Sequence, residues 1–169
     1  MINKFASDYL VVGAGAMGMA FTDVLIAETD ATVTIVDRHA RPGGHWNDSY
    51  PFVRLHQPSS FYGVNSRNLG SDTKDFAGWN AGLYELASGT EVVTYFEQVM
   101  IQQFLPSGRV RYLPMSEYRG DGLIRGLTSG KDTVVHARKT VDATYMNVTV
   151  PAVTPPSYEV MVGVQCIPP

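Results

Sequence analysis

The sequence predicts an α/β fold of three layers, a parallel sheet with helices on one face and a small antiparallel β-meander on the other. Three observations carry this expectation. A glycine loop stands between an apolar strand and a helical stretch at residues 9–25, and an alternating β-branched run ends in an acid at 32–37. Three short strand-like runs at 116–118, 123–127 and 133–137 are separated by turns rich in Gly, Asp and Ser.

The first unit reads Tyr9-Leu10-Val11-Val12-Gly13-Ala14-Gly15-Ala16-Met17-Gly18. Leu10 to Val12 form the apolar end of a strand. Met17, Ala20, Phe21, Val24 and Leu25 then recur at helical spacing. Glycines at this junction divide the work between them. Gly13 permits a tight turn, Gly15 lets the backbone approach a pyrophosphate, and Gly18 lets helix and strand pack closely. Ala16 and Met17 open the helix, whose free N–H groups and partial positive charge suit a phosphate without any lysine. The run Thr32-Val33-Thr34-Ile35-Val36 is the second parallel strand. Asp37 follows it, close to the roughly 20-residue offset expected of an acid that accepts from an adenosine ribose. The short acid leans toward NAD. Arg38 has two readings, a solvated surface charge or a group set along the adenine or a 2′-phosphate.

Composition narrows the classes. The 169 residues are 44% hydrophobic, enough for one domain with a real core, and the net charge of −3 comes with no basic run longer than Arg138-Lys139. Nucleic acid is therefore not expected as a partner. The single cysteine, Cys166, rules out an internal disulfide and any cysteine-based zinc cluster. Residues 1–7 lack the apolar core of a signal peptide and no stretch reaches membrane-span length, so no membrane association and a cytoplasmic location are expected.

Residues 38–72 form a long aperiodic segment with enough aromatic and aliphatic residues to pack. Residues 75–87 are a weak helix candidate, interrupted by Gly78 and Gly82. A better helix follows, with a capping box at Ser88-Gly89-Thr90-Glu91, an apolar stripe of Val92, Phe96, Val99 and Met100, and a stop at Pro106 and Gly108. Residues 109–113 read as a third parallel strand, then the meander, then a further strand at 139–144. Five of the ten prolines fall between Pro151 and Pro169. The expected organisation is a dinucleotide-binding domain at 1–150 and a proline-rich exit segment or linker at 151–169.

This order of motifs resembles the first part of the FAD-binding domain in the two-dinucleotide-binding flavoprotein superfamily. Members usually carry Ala-Thr-Gly where the last strand ends. Ala143 and Thr144 match, and Tyr145 departs from the glycine. Locally, Gly43-Gly44-His45-Trp46 followed by Tyr50-Pro51 and Arg54 is similar to a motif of flavin-containing and Baeyer–Villiger-type monooxygenases. The resemblance implies an FAD/NAD(P)-binding Rossmann-like fold and places Gly43, Gly44 and Trp46 against the pyrophosphate and flavin side of FAD, with His45, Arg54, Ala143 and Thr144 as further cofactor-binding candidates in the same motifs. It also implies FAD as cofactor, NAD(P)H as reductant and a small-molecule substrate for the complete protein. No second glycine-rich unit and no late Gly-Asp motif is seen, so the chain is expected to be part of a longer flavoprotein and inactive alone. Two other readings stay open, an NAD(P)-dependent dehydrogenase module and a non-catalytic nucleotide-binding domain. No catalytic residue and no metal ligand is assigned. His39 and His136 read as surface residues, and His45 and His56 as partly exposed ones outside any constellation.

Overall fold

A computed structural model describes residues 3–144, 154 and 156–165. Tyr145, Cys166 and part of the proline-rich exit segment lie outside the described residues. Residues 156–165 carry no helix or strand.

Strand β1 (Asn3–Val12) runs into helix α1 (Ala16–Glu28) and then β2 (Val33–Val36). A hairpin of β3 (Gly63–Val64) and β4 (Arg67–Asn68) precedes helix α2 (Gly89–Val99). Strands β5 (Val110–Leu113), β6 (Ser116–Tyr118), β7 (Leu123–Gly126) and β8 (Asp132–Asp142) complete the main sheet. Its order is β5-β2-β1-β8-β7-β6, parallel from β5 to β8 and antiparallel from β8 to β6.

β2 is buried along its whole length, as a parallel strand covered on both faces must be. Val33 and Ile35 join Val11 in the core beneath Val92, Phe96 and Val99 of α2. Leu10 and Val36 point the other way and pack with Ile124 of β7 and Val135 of β8. The meander is thus the third layer. Only Pro114 and Met115 separate β5 from β6, yet these strands stand at opposite ends of the order. The sheet therefore curls back on itself. Ser116 N–H donates to the Asp37 carbonyl at 2.9 Å and Met115 N–H to the His39 carbonyl at 3.0 Å, which ties the start of β6 across the end of β2.

The capping box forms as expected: the Ser88 hydroxyl accepts from Glu91 N–H, and the Glu91 carboxylate accepts from Ser88 N–H. Beyond Val99 the helix loosens into a π-helical turn (Met100–Phe104) and a 3-10 turn (Leu105–Ser107), ending at Gly108 with φ +69°. The C-terminal end of α1 is closed from outside. Arg109 of the β5 edge donates to the carbonyls of Thr29 and, at 2.6 Å, Ile26.

Three expectations are corrected. The stripe Met17, Ala20, Phe21, Val24 and Leu25 is not the buried face of α1. Gly18, Met19, Thr22 and Asp23 are, while Met17 is 67% exposed. Gly18 has to face the glycine turn, and this contact sets the rotation of the helix. Asp23 then finds partners, accepting from the Ser66 backbone N–H at 3.0 Å and from its hydroxyl. Residues 75–87 form no helix. Asp75 N–H donates to Leu83 O and Glu85 N–H to Thr73 O, so the segment folds as a hairpin-like loop with Gly78 and Gly82 at positive φ. The runs at 133–137 and 139–144 are one strand, β8. Its first residues pair with β7, and it pairs with β1 from Thr133 to Asp142.

Candidate functional site

The C-terminal ends of β1, β2 and β8 and the N-terminus of α1 open onto a cleft of about 580 Å³, closed on one side by Ser116, Glu117 and Tyr118 of β6. The cleft sits at the strand ends where α/β sheets bind ligands.

Its floor is the glycine turn. Gly13 has φ +104° and donates to the Val36 carbonyl at 2.8 Å, joining β1 to β2. A Cβ on Gly18 would stand 2.0 Å from Gly13 O, so this glycine is required for packing. Gly15 is different. Its φ of −76° suits any residue, and a Cβ there would meet Gly44 Cα at an ordinary 3.5 Å. What Gly15 keeps open is the cleft above it. As N-cap of α1 it makes no side-chain cap bond, and no acid stands in the first turn. The first-turn N–H groups at Ala16 and Met17 are left to whatever enters.

The second glycine pair comes from a distant stretch and docks on the first. Gly43 N–H donates to the Ala14 carbonyl at 2.8 Å, and a Cβ on Gly44 would lie 2.9 Å from Gly15 Cα. The backbones touch, and on the Gly44 side only glycine allows it. A 3-10 turn (Gly44–Asp48) continues from this contact.

Of the residues singled out from the sequence, Gly13, Gly15, Ala16, Met17, Asp37, Arg38, Gly44, His45, Ala143 and Thr144 line the cleft together. Ala143 lies against the glycine turn: a Cβ on Gly13 would be 3.3 Å from its carbonyl oxygen, and one on Gly18 3.3 Å from its Cβ. Gly18 and Gly43 stand behind the lining. Trp46 is turned into the core, where its indole N–H donates to Tyr62 Oη at 2.8 Å, and it does not line the cleft itself but stands behind Tyr62 and His45, which do. Arg54 is elsewhere. It donates to the Leu86 carbonyl at 2.9 Å and lines a second, polar cleft with Arg67 and Glu91.

Asp37 is buried at the end of β2 and accepts three hydrogen bonds. Its Oδ2 accepts from Ala14 N–H at 2.6 Å, and its Oδ1 accepts from His39 N–H at 2.8 Å and from His39 Nδ1 at 2.9 Å. Burial pushes this carboxyl up, yet the bonds from His39 and Ala14 together hold it below its ordinary value. His39 is not the surface residue that the sequence suggests. Its side chain is only 16% exposed, because Nε2 also meets Asp48 Oδ2 at 2.9 Å. The bond to Asp37 raises its pKa; burial opposes this and Asp48 adds to it. His45 stacks on Trp46 and is pushed down by burial. The sequence also gave no prior sign of Tyr62, Tyr118 or Asp142 in the lining; Asp48 is nine residues from His39 and shares no periodicity with it. Among the described residues no group of three or more His, Cys, Asp or Glu is placed to hold a metal ion, and no helix is long and apolar enough to cross a membrane.

Residues 11–62 match the family model described as an NAD(P)-binding Rossmann-like domain. An uncharacterized protein of Mycobacterium tuberculosis (strain H37Rv) is 57% identical over 163 residues, covering 96% of this chain and 30% of its own length. The chain thus spans less than a third of that relative. Among solved structures, a flavin-containing monooxygenase from Stenotrophomonas maltophilia superposes with a TM-score of 0.56 at 19% identity, over 82% of this chain and 38% of the other. The closed form of cyclohexanone monooxygenase gives 0.51 at 20% identity, over 85% and 26%. Residues 11–62 thus resemble an NAD(P)-binding Rossmann-like domain, and the chain shares its fold with part of these two monooxygenase structures.

Proposed function

We propose that this chain is the FAD-binding part of an NAD(P)H-linked, monooxygenase-like oxidoreductase, with residues 1–150 as the binding domain and 151–169 as the exit segment. The observation that carries the reading is the meeting of two glycine turns at an uncapped helix N-terminus, Gly44 against Gly15. Such a surface offers N–H groups and a partial positive charge with no side chain in the way, which suits a pyrophosphate. Gly15, Ala16 and Met17 hold the phosphates, and Asp37 accepts from the adenosine ribose. A carboxylate has about four acceptor positions. Three are taken by Ala14 N–H, His39 N–H and His39 Nδ1, so Asp37 has room for one ribose hydroxyl. Arg38 and Tyr118 lie along the adenosine end. When bound, FAD supplies the electron transfer, and the chain supplies binding and orientation.

The meander that closes the cleft favours FAD, as does the likeness to proteins named as flavin-containing and cyclohexanone monooxygenases. The short side chain of Asp37 favours NAD instead, as in a dehydrogenase module. Equilibrium dialysis of the full chain against FAD, NAD and NADP, with absorbance spectra of the retained complex, separates the two. Retained flavin absorbance that is lost in Gly15→Val supports the FAD reading. Retention of NAD(P) alone assigns the cleft to a dehydrogenase module, and equal retention by the Gly15→Val variant removes the cleft as the site.

A further inference from the structure

The array Asp37–His39–Asp48 joins three separate pieces of the cleft wall. Asp37 ends β2 and holds the glycine turn through Ala14 N–H. His39 is fixed to the start of the meander, since its carbonyl accepts from Met115 N–H. Asp48 ends the 3-10 turn that begins at Gly44, the residue pressed against Gly15. Both ring nitrogens of His39 face carboxylate oxygens at 2.9 Å. A carboxylate only accepts, so both nitrogens carry a proton and the ring is an imidazolium.

We infer that His39 is the positioning residue of the dinucleotide cleft, an imidazolium clamp that fixes Asp37 toward the ribose and holds the Gly43–Gly44 turn against the Gly15 turn. The ligand part of this inference rests on the dinucleotide reading above. No other cation joins Asp37 to Asp48 among the described hydrogen bonds and ion pairs. Losing one ring proton turns a lone pair toward a carboxylate. The more exposed contact, to Asp48, is the one that opens, and with it the hold on Gly44. Other titratable groups near this cation are His45 in the same 3-10 turn and, in the cleft lining, Arg38, Glu117 and Asp142. Because the pKa of His39 is raised on folding, the clamp is fully present below the ordinary histidine value near 6.5 and is lost as pH rises through the higher folded value.

The test uses the full chain and two variants, His39→Gln and Asp48→Asn, the second in case the first fails to fold. Histidine NMR titration and amide exchange at Gly43 and Gly44 are read without ligand, and FAD affinity is read by calorimetry from pH 5.5 to 9. Expected are a titration of His39 above the ordinary histidine value, weaker protection of the Gly43 and Gly44 amides relative to their intrinsic exchange rate as His39 deprotonates, and FAD affinity falling about tenfold over the same range. In Asp48→Asn both transitions move to lower pH, and His39→Gln binds about tenfold more weakly with a flat profile. Amide protection and affinity that stay level while His39 titrates overturn the clamp. If no dinucleotide binds at any pH while exchange follows His39, the clamp stands and the dinucleotide reading fails.

Discussion

Replacing Gly18 by alanine separates packing from ligand approach, two roles that the glycines of this loop share out. The new Cβ would stand 2.0 Å from Gly13 O, and a real Cβ does not come within 3.0 Å of such an atom. The obstacle is backbone at the β1–α1 turn and cannot rotate aside, and Ala143 Cβ at 3.3 Å blocks retreat toward β8. Helix and strand must part by about 1 Å across a core junction, and overpacking of this kind costs about 1–3 kcal/mol and sometimes more. Alanine in a helix returns up to about 1 kcal/mol relative to glycine. The net loss is about 2 kcal/mol, a fall in Tm of roughly 4–8 °C for a domain of this size. Gly15→Val is the control. Its backbone is ordinary and its Cβ meets only Gly44 Cα at 3.5 Å, so Tm holds while dinucleotide binding is lost. Thermal and urea denaturation with FAD calorimetry on both variants decide the matter. A Gly18→Ala protein as stable as the parent, or a Gly15→Val protein that unfolds like Gly18→Ala, refutes this division of roles.

Asp37→Ala removes one ribose acceptor and the partner of Ala14 N–H, so FAD binding weakens about tenfold or more, and a calorimetric change under twofold would place the ribose elsewhere. Ser88→Ala opens the capping box of α2 and costs about 1 kcal/mol, read as a lower urea midpoint with unchanged slope; an unaltered midpoint shows the cap to be idle. Residues 1–169 with excess FAD should oxidise NADPH and NADH no faster than free flavin, since the chain spans less than a third of its relative's length; sustained turnover above that background puts the catalytic machinery inside this chain.

The elements that were legible in the sequence are those whose cause is local. The turn at Gly13 lies where the period changes from two to 3.6, and the acid after β2 follows from chain length alone, so β1, α1, β2 and Asp37 could be placed. The capping box fixed the start of α2 within its own four residues. Where a distant contact decides, the pattern misled. Hydrophobic spacing set α1 on the wrong face because the Gly18–Gly13 approach, invisible to any apolar count, fixes its rotation. The two halves of β8 read as separate strands because their surroundings differ: the first lies between β7 and β1, the second continues along β1 alone. His39 reads as a surface residue because it stands beside two arginines in a polar loop. Only the 3-10 turn, folding Asp48 back over nine residues, encloses it.

That enclosure also answers an electrostatic difficulty of the cleft. Asp37 lines a cleft read as a pyrophosphate site and Asp48 ends the turn that Gly44 begins beside it, and among the described residues neither meets a lysine or arginine in an ion pair. Two unpaired carboxylates there would repel the anion that the helix N-terminus attracts, since a charge in a partly buried site is weakly screened. A single imidazolium bonded to both brings the array from two negative charges to one and turns the carboxylate oxygens away from the phosphate side, toward its own ring. An arginine could carry the same charge, but it would not lose it in the range where histidine titrates. Histidine at this position therefore lets a ribose acid coexist with a phosphate-binding turn, and it makes that coexistence depend on one proton.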